Sequence, residues 1–169
     1  MSCLGVLFSL SEKEVEKLKS YKSDTKRLEY LQEDIEEVYF EKFPERVAEL
    51  DKSWDGLHRS LTDGKYDFNN GKFPLNHVIL GGESLYKKDD YIMSLKTSEK
   101  VAEIAKAIEP ITEEDLRNGY NQIPLDDEDY ADFLSEEDFQ YTWEWFNNSK
   151  EFWILAAKEN RYVLFTADQ

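Results

Sequence analysis

The sequence predicts an α+β domain: a small sheet with several helices packed on it. Three observations predict it. Residues 3–10 and 161–166 are apolar and β-prone, so both ends of the chain read as strands. Tyr91 to Leu95 is a third run of that kind. Between these runs, apolar residues recur at three- and four-residue steps, the spacing of helices with one buried face. The two end strands are expected to pair. The alternation of strands and helices is too irregular for a doubly wound parallel sheet. Strand order does not follow from the pattern, and a mixed sheet remains open. With 169 residues, the chain reads as one domain over 1–169, long enough for a core without disulfides or a metal.

Each element has a local reason. Cys3 to Leu10 reads as a strand buried on both faces or nearly so. Ser11 with Glu14 three residues later forms a capping box, opening a short helix with Val15 and Leu18 inward. Leu28, Leu31, Ile35 and Val38 predict a helix over about 25–41. Pro44 opens a short turn through Leu50, and Asp51 caps a helix carrying Trp54, Leu57, His58 and Leu61. Thr62-Asp63-Gly64 ends that helix, and residues 64–75 are a loop. Asn76 to Leu80 is open between a helical turn and a strand, and Gly81-Gly82 breaks it. After the Tyr91 strand, Thr97 or Ser98 caps a helix with Val101, Ile104, Ala105 and Ile108, stopped by Pro110. Thr112 opens another, closing near Asn118-Gly119. Ser135 caps a long helix to about Lys158 with Phe139, Trp143, Phe146, Phe152 and Trp153 along it; Asn160 is its left-handed cap.

Charge excludes some functions. Acidic residues outnumber basic ones 37 to 21, and the formal net charge is −16. Such a surface repels phosphate backbones and anionic lipid, so neither nucleic acid nor membrane is an expected partner. No segment approaches the roughly 20 apolar residues of a membrane helix. The stretch Leu4–Leu10 has no basic flank and is too short for a signal peptide. Cys3, the single cysteine, permits no internal disulfide. Together these point to the cytoplasm. Four Trp, ten Tyr and ten Phe argue against a disordered acidic chain.

Recognisable cofactor motifs are missing. Gly81-Gly82 is a pair, not a phosphate cradle, and there is no Gly-x-Ser-x-Gly elbow. His58 and His77 lie too far apart to share a helical zinc site. Asp126-Asp127-Glu128-Asp129 lacks the spacing and central glycine of a calcium loop. No metal and no cofactor is expected.

One candidate site remains, around His58. Trp54 lies one helical turn before it and can offer an apolar wall, with Asp55 close by. In a catalytic reading His58 is a base near neutral pH, oriented by Asp55 or Glu83. The plainer reading makes Trp54 and His58 core residues of an amphipathic helix, Glu83 a surface residue and His77 structural. Cys3 reads as a small hydrophobe. The run Asp126, Asp127, Glu128 and Asp129, with Glu136, Glu137 and Asp138 beyond it, is a candidate binding surface for a basic protein, against the plainer reading of a solvated patch.

The segment Leu50-Asp51-Lys52-Ser53-Trp54-Asp55-Gly56-Leu57-His58-Arg59-Ser60-Leu61-Thr62-Asp63-Gly64 resembles the signature of the YfbM-like bacterial proteins of unknown function (domain of unknown function 1877). Pro74-Leu75-Asn76-His77-Val78-Ile79-Leu80-Gly81-Gly82 resembles that family's second block, and the Gly5–Phe8 strand and the Phe152–Phe165 helix–strand match in kind. The resemblance implies a small bacterial cytoplasmic α+β domain and carries no activity with it.

Three functions compete. The one these features favour is an acidic binding or regulatory domain for a basic protein partner. The alternative is a small hydrolase or ligand-binding enzyme with a pocket around His58 and Trp54. The third is a homodimeric module using spare aromatics, since Trp143 and Trp145 point about 200° apart on their helix. The sequence leaves monomer and homodimer open.

Overall fold

Leu7, Phe8 and Leu10 have no exposed surface. The reason is that β1 (Gly5–Leu10) is an interior strand of a five-stranded sheet in the computed structural model, which describes residues 3–169. The other strands are β2 (Val47–Asp51), β3 (Glu83–Ser84), β4 (Tyr91–Lys96) and β5 (Tyr162–Asp168). Their order is β2-β1-β5-β4-β3, and every pairing is antiparallel. The expected pairing of the end strands is present, with Leu7 opposite Phe165 and Ser9 opposite Val163.

Alternation along the strands supplies two faces. Leu7, Ile92, Val163, Phe165 and Ala167 belong to the core beneath α4 (Trp54–Leu61), α5 (Ser98–Ile108), α6 (Glu113–Tyr120) and α7 (Glu136–Lys158). Phe8, Leu10, Met93, Leu95 and Leu164 pack against α1 (Glu12–Ser20), α2 (Asp24–Tyr30) and α3 (Glu37–Lys42). Helices therefore cover both sides of the sheet, and among the described residues no helix is long and apolar enough to cross a membrane.

The local caps form as their chemistry requires. Ser11 and Glu14 complete a capping box, as do Thr112 and Asp115, and Thr97 and Ser135 accept from the backbone of Lys100 and Asp138. Asn160 sits at φ 54° after α7.

Three local expectations need correction. Residues 47–51 are a strand, not part of a turn: Ala48 and Leu50 are buried on either side of exposed Glu49, and pairing with β1 fixes them. Asp51 does not cap α4. It lies at φ 51°, and Ser53 holds the N-cap position with its hydroxyl turned back to donate to Leu50 O at 2.5 Å. The helix expected over 25–41 contains a π-helical turn at Leu31–Glu36. The extra residue in that turn moves the buried face from Val38 to Tyr39, so Leu31, Ile35 and Tyr39 face the core.

Candidate functional site

Helix α4 is enclosed almost completely; within it only Asp55 escapes full burial. Two glycines allow this. A Cβ on Gly119 of α6 would stand 1.9 Å from Ser60 O of α4. One on Gly56 of α4 would stand 2.1 Å from the Tyr130 hydroxyl. α4 thus lies tight against α6 on one side and the segment before α7 on another.

That packing leaves a cleft of about 650 Å³ over the start of α4. Aromatic rings form its walls: Trp54, Tyr66, Tyr130, Phe133 and Tyr141. Their polar tips are mostly engaged. Trp54 Nε1 donates to Cys3 O at 2.8 Å, the Tyr130 hydroxyl donates to Asp138 Oδ2 at 2.8 Å, and the Tyr141 hydroxyl accepts the Lys52 N–H at 3.1 Å. Ring surface and the side chains of Asp129 and Asp138 line the space, with Lys52, Asp55 and Arg59.

The floor of the cleft already holds a cation. Arg59 is 1% exposed, donates from Nε to Asp55 and from Nη1 to Asp127, each at 2.7 Å, and lies over the Tyr66 and Tyr130 rings at 5.8 and 5.1 Å. Burial raises the Asp55 carboxyl above its ordinary range despite Arg59. Desolvation acts the same way on Asp127. There the Arg59 bond and the N–H groups of Asp129 and Tyr130 outweigh it, and the carboxyl lies below its usual range. Asp138 Oδ2 also accepts from Tyr120 at 2.7 Å; burial, followed by the Asp138 carboxylate, raises both Tyr120 and Tyr130.

The structure brings some of the sequence-derived candidates together and separates others. Trp54 and Asp55 line the cleft, Asp129 is on its rim and Asp127 braces its floor. Asp126 and Glu128 are exposed in the same segment but outside the lining. His58 is buried beneath the cleft and does not line it. Its Nε2 is 2.8 Å from both Asp67 O and Asn70 Oδ1. Asn70 Nδ2 donates to Thr62, Asp63 and Lys65, which turns the amide oxygen to the ring, so Nε2 carries the proton. The proton-accepting atom is then Nδ1, which is buried without a partner. Burial lowers the pKa of His58. Glu83 lies on β3 and pairs with Lys19 of α1 at 3.2 Å, on the opposite side of the sheet from α4. His77 sits in a 3-10 turn (Leu75–His77) with Nδ1 2.7 Å from Asn76 Oδ1, lowered to about 4 by burial and then by Lys100 and Lys96. No common reacting atom is within reach of His58 and Glu83, so the proposed base and its glutamate partner do not form one site.

Arg59, Tyr66, Tyr130, Phe133 and Tyr141 escaped sequence reasoning. One signal was present: Asp55 and Arg59 are four apart on a helix, the spacing of an ion pair. Among the described residues no group of His, Cys, Asp or Glu is placed to hold a metal ion.

No curated protein matches the chain. Among solved structures, the protein of unknown function YfbM from Escherichia coli is similar, with a TM-score of 0.67 over 97% of this chain and 99% of that one. At 20% identity this likeness is one of fold. The family model described as a domain of unknown function, DUF1877, matches residues 1–166, and the chain belongs to that family.

Proposed function

We propose that this domain is a non-enzymatic binding module, acting in the cytoplasm, that takes a basic segment of a protein partner into the cleft above α4. The observation that carries the reading is the lining: ring faces with their polar tips engaged, rimmed by Asp129 and Asp138. Ring faces and carboxylates both attract cations, and neither suits an anionic ligand. The net charge of −16 steers a basic partner toward the surface. Phe133, 61% exposed at the mouth, gives an apolar contact of the kind that anchors interfaces. The enzyme reading has less support, because the accepting nitrogen of His58 is enclosed and Glu83 lies beyond the sheet.

A dye-labelled pentalysine peptide tests this. Binding by the wild-type domain at low salt should weaken at high salt and should fall about fivefold with Phe133→Ala, roughly 1 kcal/mol. Binding that ignores Phe133→Ala would be charge attraction without a site, and no binding at low salt would remove the reading altogether.

A further inference from the structure

A neighbour of the cleft lies beyond Lys52. A second cavity of about 320 Å³ lies at the end of the sheet, where Glu36, Phe40, Glu49, Asp51, Trp145 and Asp168 are among its walls. The two spaces share a border of chain neighbours. Cys3, Lys52 and Gln169 line the first; Leu4, Asp51 and Asp168 line the second. One turn apart on α7, the rings of Tyr141 and Trp145, which line the first and the second cavity, lie 6.3 Å apart. The two cavities thus adjoin at the sheet end at which β1 begins and β2 and β5 finish, and a ligand spanning both would lie along one groove.

The charges along this groove are one-sided. The second cavity has four carboxylates and no lysine or arginine in its lining. In the first, Arg59 is held by Asp55 and Asp127, leaving Lys52 as the one other cation among the lining residues. The carboxylates do not converge: among the described residues no three are placed to grip a metal ion. Acids spread along aromatic walls suit a cation that is itself spread out. Phe40 is 40% exposed, and Trp145 is half-buried, so both offer ring surface beside the carboxylates.

We propose that the groove takes one extended segment of the partner bearing two basic side chains, one seated in the aromatic cleft against Asp129 and Asp138, the other at the sheet end against Glu36 and Glu49. The proposal rests on the binding-module reading and adds to it the form of the ligand. An extended chain keeps its carbonyls available along its length and sends basic side chains to separate points. Two tethered cations gain from each other's binding only when the tether matches the distance between seats.

The probes are labelled Gly-Ser peptides with a lysine at each end and spacers of about two to eight residues, beside versions in which one lysine is acetylated. One spacer length should bind at least about tenfold tighter than its acetylated version. The double variant Glu36→Gln/Glu49→Gln should abolish that gain, so that the two peptides bind it alike, whereas Phe133→Ala should weaken both peptides. No gain at any spacer, or a gain indifferent to Glu36→Gln/Glu49→Gln, would overturn the two-seat proposal. Sensitivity of the acetylated peptides to Phe133→Ala would then leave the binding-module reading standing. If no peptide binds, both fail. Spermine binding as tightly, with the same sensitivity to the Glu36 and Glu49 changes, would show that the groove selects a free polyamine and would also overturn it.

Discussion

Arg59 Nη1 and Asp127 Oδ2 lie 2.7 Å apart, joining the middle of α4 to a loop 68 residues further along the chain. The other oxygen of the same carboxylate accepts the N–H groups of Asp129 and Tyr130, each at 3.0 Å. One side chain thus fixes the course of the acidic segment and sets the wall of the cleft.

Asp127→Ala should therefore cost about 1.5–3 kcal/mol in urea unfolding, the range for hydrogen bonds to charged groups, with Asp55 still holding Arg59. Because the folded carboxyl lies below its unfolded value, its contribution is present above that value and disappears as pH falls through the folded one. The wild type should lose more stability than Asp127→Ala over that acid interval. Equal losses would mean that the pair contributes nothing.

Gly56→Ala should destabilise by roughly 1–3 kcal/mol, since the new methyl meets the Tyr130 hydroxyl at 2.1 Å. Adding Tyr130→Phe should restore at least half of the loss, although the Tyr130 ring carbon at 2.9 Å keeps the recovery partial. Thermal melts of the two single variants and the double variant check the coupling.

The Arg117–Glu136 pair makes two bonds, at 2.6 and 2.8 Å, and ties α6 to the first turn of α7. The Arg117 hydrogen bond, then that of Gln140, holds the Glu136 carboxyl down at about 2. Its stabilisation is present above the ordinary glutamate value of 4.5 and is lost as pH falls through about 2. Glu136→Gln should show a shallower decline across that window in acid-unfolding curves monitored by circular dichroism.

Lys96 is wholly buried, and its amine donates to Ile79 O at 2.5 Å and Ser94 O at 3.1 Å. Burial moves its pKa well below the ordinary lysine value of 10.5. The folded state thus favours the neutral amine, so the contribution of Lys96 to stability is fully present above 10.5 and declines as pH falls toward the folded value. From pH 7 toward 10 the wild type should gain stability that Lys96→Met does not. At pH 7 the variant should lie within about 1 kcal/mol of wild type, because the lost hydrogen bonds oppose the relief of desolvation. Parallel pH profiles for the two proteins would contradict this.

Much of the fold is legible locally. Ser11–Glu14 and Thr112–Asp115 declare their helices because each capping contact closes within three residues. The β2 strand and the π turn at Leu31–Glu36 are not legible, because each is settled by what it packs against: β1 for the strand, the sheet's second face for the turn. The candidate site divides along the same line. Trp54, Asp55, Asp127 and Asp129 stand out by residue type and spacing, but Tyr66, Tyr130, Phe133 and Tyr141 meet only once α4 is wedged below the acidic segment. His58 and Glu83 looked compatible as chemistry, yet helical spacing cannot say on which side of a sheet a residue ends up.

In the sheet β5 lies between β1 and β4, although it is the last of the five strands along the chain. During synthesis β1 emerges first, with its β5-facing edge unsatisfied until some 160 further residues have followed, in line with the 164-residue separation of the Leu4–Asp168 contact. A nascent chain can dock β2 beside β1 early but cannot zip the middle of the sheet before Asp168 clears the ribosome. The exposed edge in that interval is where a chaperone, or a neighbouring copy caught at the same stage, would find its opening.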